Sequence, residues 1–121
     1  MLFVDDDPSI LEVMTGWLES NGLDVTSAPD GGAAATLLEE GGRWDLLITD
    51  YMMPGMSGIA LASKVRECCP DAGIILASGY TDGRVDPDQL ATLGAGWLTK
   101  PYTLGVLLER SLEALHEDSP E

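Results

Sequence analysis

Positive charge is what this chain has least of. Arg43, Lys64, Arg66, Arg84, Lys100 and Arg110 are its permanent cations, set against 21 aspartates and glutamates, for a formal net charge of -15 over 121 residues. Six scattered cations cannot build a patch that tracks a phosphate backbone, so direct nucleic-acid binding is not expected. The same acidity works against anionic membrane surfaces. No apolar run approaches the roughly 20 residues that span a bilayer. Met1 leads straight into strand-like sequence without the charged and apolar regions of a signal peptide, so a cytoplasmic location is expected. Cysteine is scarce too: Cys68 and Cys69 are adjacent, have no second pair for zinc, and cannot form a disulfide framework. They read as the last turn of a helix before Pro70. His116 is the one histidine. It lies in an acidic stretch with no serine or cysteine signature near it, and reads as solvent-facing, not as a phosphoryl carrier or metal ligand.

What the chain does have is 45% apolar residues, enough for one core in one domain. That domain is expected over residues 1–121, with an acidic tail from about residue 117. Short apolar runs alternate with longer stretches of helical period, the mark of βα units around a parallel sheet. Strands are expected at 2–5, 23–27, 46–50, 74–78 and 97–99. Several are apolar on both faces, as strands buried between helical layers are.

The helices carry their own punctuation. Asp7 and Pro8 give an N-cap followed by proline at the first helical position, and Ile10, Val13, Met14, Trp17 and Leu18 share one face until Gly22. A second helix fits 30–40. A third runs from Ser57 or Gly58 to Cys69, with Leu61, Val65 and Cys68 or Cys69 inward. A short fourth opens at Asp86-Pro87 and closes at Gly94. Thr103 caps the fifth, where Val106, Leu107, Leu108, Leu112 and Leu115 form a wide apolar stripe and Tyr102 staples onto Leu107. Right-handed crossovers then give an α/β fold, a doubly wound five-stranded parallel sheet of flavodoxin-like (βα)5 type in strand order 2-1-3-4-5.

In that order the chain reverses between strands 1 and 3, and ligands of such sheets bind at the carboxyl ends flanking the reversal. Asp5, Asp6 and Asp50 fall there; Ser78 ends strand 4 and Lys100 follows strand 5. Asp7 reads as a cap, not a ligand. Carboxylates a few ångström apart cannot all ionise without a compensating charge. A bound cation is therefore expected, either Mg²⁺, which takes one or two carboxylates, water and a phosphate, or Mn²⁺ in its place. An aspartate can also be a nucleophile toward phosphorus, forming an acyl phosphate. Asp50 suits that part, with Lys100 as a second positive charge and the Ser78 hydroxyl as a donor. A static salt bridge would account for Lys100 alone, but not for three converging strand ends.

The segments Leu2-Phe-Val-Asp-Asp-Asp-Pro8, Asp45-Leu-Leu-Ile-Thr-Asp-Tyr-Met-Met-Pro-Gly-Met-Ser-Gly58, Ile75-Leu-Ala-Ser-Gly-Tyr80 and Trp97-Leu-Thr-Lys-Pro101 resemble the receiver domain of bacterial two-component response regulators over nearly the whole chain. The resemblance implies that Asp50 accepts phosphate from a histidine kinase or a histidine phosphotransfer protein. It further implies that Asp5 and Asp6 are the acidic pair, that the carbonyl of Met52 completes the Mg²⁺ shell, and that Ser78 and Lys100 hold the phosphoryl oxygens. Such a domain is a phosphoacceptor that catalyses only its own phosphorylation and dephosphorylation. It signals to a downstream protein through the face of its fourth helix, fifth strand and fifth helix. Lys100-Pro101 is a cis candidate by the same match. Ser78 and the strand-5 aromatic form the switch, and here that aromatic is Trp97, which equally fits a packing role. Gly79-Tyr80 is closer to receivers fused to sensor histidine kinases than to those of DNA-binding regulators. Met52 and Tyr80 flank the path of hydrolytic water without an acid or amide to orient it, so a long-lived acyl phosphate is expected.

Other readings fit less well. A haloacid-dehalogenase-type phosphatase needs a second aspartate two residues after the nucleophile, where Met52 stands. An FMN protein of this fold class cradles phosphate in a hydroxyl- and glycine-rich first loop, which Asp5-Asp6-Asp7 would repel. A phosphorylation-independent pseudo-receiver, acting only as an interaction module, is the remaining alternative. Its usual sign is a missing acid, serine or lysine, and none is missing.

Overall fold

A computed structural model of the chain describes residues 1–51, 55–78, 87–99 and 102–117. Among them strands and helices alternate strictly: β1 (Leu2–Val4), α1 (Pro8–Ser20), β2 (Thr26–Ala28), α2 (Gly31–Glu39), β3 (Leu46–Asp50), α3 (Gly58–Cys68), β4 (Gly73–Ser78), α4 (Pro87–Leu93), β5 (Ala95–Thr99) and α5 (Leu104–Glu117). The strands form one parallel sheet in the order β2-β1-β3-β4-β5, the flavodoxin-like topology that the alternation predicts.

Alternate strand residues feed two cores, which is why β3 is buried along its whole length. Leu2, Val4, Leu47, Ile74 and Leu76 face one side, against Ala34 and Leu38 of α2, Leu61, Ala62 and Val65 of α3, and Leu93 of α4. Phe3, Leu46, Ile48, Ile75, Ala77 and Leu98 face the other, against Leu18 of α1 and Leu107 and Ala114 of α5. Caps at the helix starts satisfy amides that have no partner within the helix. Asp7 accepts from the N–H of Ser9 at 2.9 Å and of Ile10 at 3.3 Å, Asp30 from Ala33, Ser57 from Ala60 and Thr103 from Val106. The expected Asp86 cap lies outside the described residues.

Three apolar residues assigned to buried faces are in fact exposed: Val13 at 56%, and Val106 and Leu112 at 40% each. Successive helical residues turn by about 100°, which carries Val13 past the edge of the stripe that Met14, Trp17 and Leu18 press on the sheet. Of the two cysteines, Cys69 is buried and Cys68 half-buried, so the inward position is that of Cys69.

Arginines act as staples. Arg66 of α3 donates through Nε and Nη2 to the Leu93 carbonyl at the end of α4, at 3.0 and 2.6 Å, and through Nη1 to the carbonyls of Pro70 and Ala72, both at 2.7 Å. Arg43 donates to the carbonyls of Leu38 and Gly42, and Arg110 of α5 to Trp97 on β5. Charge-assisted bonds of this kind are stronger than neutral ones. Arg66→Met, which keeps the aliphatic stem, is expected to lower stability by about 2 kcal/mol, roughly 8 °C in Tm. Amide exchange should quicken in α4 and remain slow in β1 and β3; uniform exchange across the fold would show that the staple does not hold α4.

Candidate functional site

The register places the acids. Val4 pairs with Ala28 on one side and Thr49 on the other, so Asp5 leaves β1 level with Asp50, the last residue of β3. The Asp5 N–H still donates to the Ala28 carbonyl at 3.3 Å, and its Oδ1 accepts from the Asp7 N–H at 2.9 Å. These two bonds fix the turn, with Asp5 inward, Asp6 outward and Asp7 committed to capping α1. Asp5 is 1% exposed and Asp50 4%; Asp6 is exposed.

One carboxylate oxygen from each of Asp5, Asp6 and Asp50 lies within 4.8 Å of the others. This donor set is all hard oxygen, the chemistry that Mg²⁺ or Mn²⁺ selects over softer ions. Oxygens bound to one Mg²⁺ at about 2.1 Å can stand at most about 4.2 Å apart. Three oxygens on one ion must stand closer together than that on average, so the cluster suits one cation bound directly by some of the carboxylates and through water by the rest.

Ser78 ends β4 and is 2% exposed. It lies one residue beyond Ala77, which pairs with Asp50, and opposite Thr99 of β5. Structure and register thus bring Asp5, Asp6, Asp50 and Ser78 to one edge of the sheet. Met52, Lys100, the Lys100-Pro101 bond, Gly79 and Tyr80 lie outside the described residues. Trp97 is half-buried and packs against the core shared by α2, α3 and α4.

Two glycines without a role in the motifs sit at close approaches, and one of them, Gly58, forms the wall behind Asp50. A Cβ on Gly58 would collide with the Asp50 carbonyl oxygen and stand 3.0 Å from the Tyr51 Cα, because the Gly58 N–H donates to the Tyr51 carbonyl at 2.9 Å. A Cβ on Gly31 would meet Met56 Cβ at 2.8 Å. A glycine at the first position of a helix, where it is a poor helix former, is the sequence signal for such close approach. Gly58→Ala is expected to cost about 1–3 kcal/mol by overpacking and to weaken divalent-cation binding as Asp50 is pushed aside. Unchanged Tm and cation affinity would mean that the loop yields freely. A cavity of about 410 Å³ lined by Gly73, Gly94, Gly96, Arg110 and Glu113 sits at the opposite, amino-terminal end of the strands, away from Asp5, Asp6 and Asp50.

A family model described as the response regulator receiver domain matches residues 1–111. The response regulator receiver protein CpdR of Brucella abortus is 35% identical over 104 residues, 86% of each chain. The sensor kinase CckA of that organism is 31% identical over 118 residues, which are 97% of this chain but 12% of that one. Among solved structures, a CheY-like response regulator receiver domain protein from Methanospirillum hungatei JF-1 superposes with a TM-score of 0.84 at 29% identity, covering 97% of this chain and 93% of the other. The receiver domain of the hybrid histidine kinase CckA gives 0.78 at 34% identity, over 94% and 96%.

Proposed function

The chain belongs to the response regulator receiver family, and from that premise we propose that residues 1–121 form one phosphoacceptor domain of a two-component phosphorelay, with Asp50 as the acceptor. The observation that carries this reading is the convergence of Asp5, Asp6 and Asp50. A receiver is not an enzyme acting on other molecules; its chemistry ends on its own side chain.

In the proposed step an Asp50 carboxylate oxygen attacks the phosphorus of a phosphohistidine, on a histidine kinase or a histidine phosphotransfer protein. The new P–O bond forms as the P–N bond breaks, and the electron pair returns to the imidazole, which takes up a proton. The residues present fit Mg²⁺, held by Asp50, Asp6, the Met52 carbonyl and Asp5, in part through water; when bound it supplies charge neutralisation for the incoming oxygens. The Ser78 hydroxyl donates a hydrogen bond to the phosphoryl group, and Lys100 provides the second positive charge. Burial of Asp5 and Asp50 lowers the screening around their carboxylates, which strengthens each of these interactions. Phosphorylation then draws Ser78 inward, shifts Trp97, and alters the affinity of the α4-β5-α5 face for a downstream protein. Met52 and Tyr80 leave the acyl phosphate long-lived.

No helix among the described residues is long and apolar enough to cross a membrane; a cytoplasmic location is part of the proposal. Whether this domain works beside a kinase, as the CckA match suggests, or by itself, as the CpdR match suggests, is a matter of the parent chain. The test is incubation with acetyl phosphate and Mg²⁺ followed by peptide mass spectrometry. An adduct confined to Asp50 is the expected result; no uptake would return the chain to the pseudo-receiver alternative, and an adduct elsewhere would refute the assignment.

A further inference from the structure

Asp50 and Trp97 are joined by a route that does not pass through Ser78. Tyr51 follows Asp50 directly, and its main chain is held from both sides: its N–H donates to the Ala77 carbonyl at 2.8 Å, and its carbonyl accepts from the Gly58 N–H at 2.9 Å. The Tyr51 backbone is thus anchored to β4 and to the start of α3 and does not sit in a loose loop. That ring packs against the core on the α2, α3 and α4 side and meets Trp97 edge-on, with centroids 5.7 Å apart and planes at 69°. This is the T-shaped arrangement in which a positive ring edge faces a negative ring face. Trp97 in turn sits opposite Leu76 in the sheet, and its carbonyl accepts from Arg110 Nη1 of α5 at 2.9 Å. The contacts run unbroken from Asp50 through Tyr51 and Trp97 to α5.

We propose that Tyr51 is the positioning residue that sets the rotamer of Trp97, so that the pair of rings, and not Trp97 alone, conveys the state of Asp50 to α5. The inference rests on the reading of Asp50 as phosphoacceptor. An indole that turns away from Tyr51 forfeits the edge contact, which biases its rotamers by roughly two- to tenfold. That bias is small enough for a change at Asp50 to shift the balance, and large enough to be measured.

The test compares the parent with Tyr51→Phe, which keeps the aromatic ring, and Tyr51→Leu, which keeps apolar bulk without it. The signal is the part of the tryptophan emission change on adding beryllofluoride and Mg²⁺ that disappears in Trp97→Phe. Phosphate uptake from acetyl phosphate is measured on the same samples. Tyr51→Leu is expected to reduce that signal about two- to tenfold, the range of the aromatic-pair bias above, with uptake close to that of the parent, and Tyr51→Phe to retain both. A full signal in Tyr51→Leu would overturn the relay while leaving Asp50 as acceptor. Parallel loss of uptake and signal in Tyr51→Leu would also overturn it, since Tyr51 would then act on the acceptor site itself. A parent that neither takes up phosphate nor responds to beryllofluoride would remove the reading of Asp50, and the relay with it.

Discussion

Phosphate uptake by Asp50→Asn is expected to fall to background. Asparagine has nearly the same shape, so the packing of a side chain only 4% exposed is preserved while the nucleophile is lost. An amide oxygen is too weak a nucleophile to form an acyl phosphate, and the change also removes one negative charge from a cluster whose oxygens lie within 4.8 Å. With fewer like charges in a poorly screened setting, the variant should be at least as stable as the parent without divalent cation. The two measurements together separate chemistry from folding: a variant that loses uptake and also unfolds would say nothing of the nucleophile. Residual labelling above background would place the acceptor elsewhere.

Mg²⁺ is expected to raise Tm, because it binds the folded cluster and not the dispersed aspartates of the unfolded chain. At a hundred times its Kd the gain is about 2.7 kcal/mol, roughly 10 °C for a domain of this size. Asp6→Asn should remove most of the gain, since Asp6 is the exposed acid of the cluster and a direct ligand in the proposed site. Asp71→Asn, an exposed acid outside the cluster, should leave it intact. Thermal scans at matched ionic strength, with Na⁺ replacing Mg²⁺, distinguish site binding from general screening. An equal rise with Na⁺, or an equal rise in Asp6→Asn, would count against the site.

The fold is largely legible because its strands are buried on both faces, and a short continuous apolar run such as Leu46-Leu47-Ile48, flanked by polar residues, suits a central parallel strand. The edges are less so. Apolar pattern starts strand 2 at Leu23, but the Leu23 N–H closes the end of α1 on the Leu18 carbonyl at 3.2 Å. Leu23 and Val25 pack against the α1 and α5 core before pairing starts at Thr26. β5 begins two residues earlier than expected, at Ala95, because alanine and glycine carry almost no strand signal. Gly96 is small for a reason that is only tertiary, since a Cβ there would stand 3.0 Å from Arg110 Nη2.

At the site, Asp5, Asp6, Asp50 and Ser78 can be read from the sequence because each ends or follows an apolar run, where topology alone dictates convergence. Contacts between side chains distant in sequence cannot. Hydrophobic period puts Trp17 on the inner face of α1 but is blind to its indole N–H, which donates to the Leu104 carbonyl at 3.1 Å and pins the start of α5. The Tyr51 and Trp97 edge contact is equally invisible to one-dimensional pattern.

Arg43, Arg66 and Arg110 direct their guanidinium groups at main-chain carbonyls, positions dictated by the fold and not by where the acids lie. The negative potential of a chain with formal charge -15 therefore extends into solvent, damped only over the Debye length of about 10 Å at 0.1 M salt. For a partner with a positive docking face, that field acts before any contact is made, guiding diffusional encounter and raising the association rate by about ten- to a thousandfold at low ionic strength. Added monovalent salt should then slow the encounter steeply while dissociation changes little. The speed with which such a partner arrives is thus set in part by charges that need not touch it.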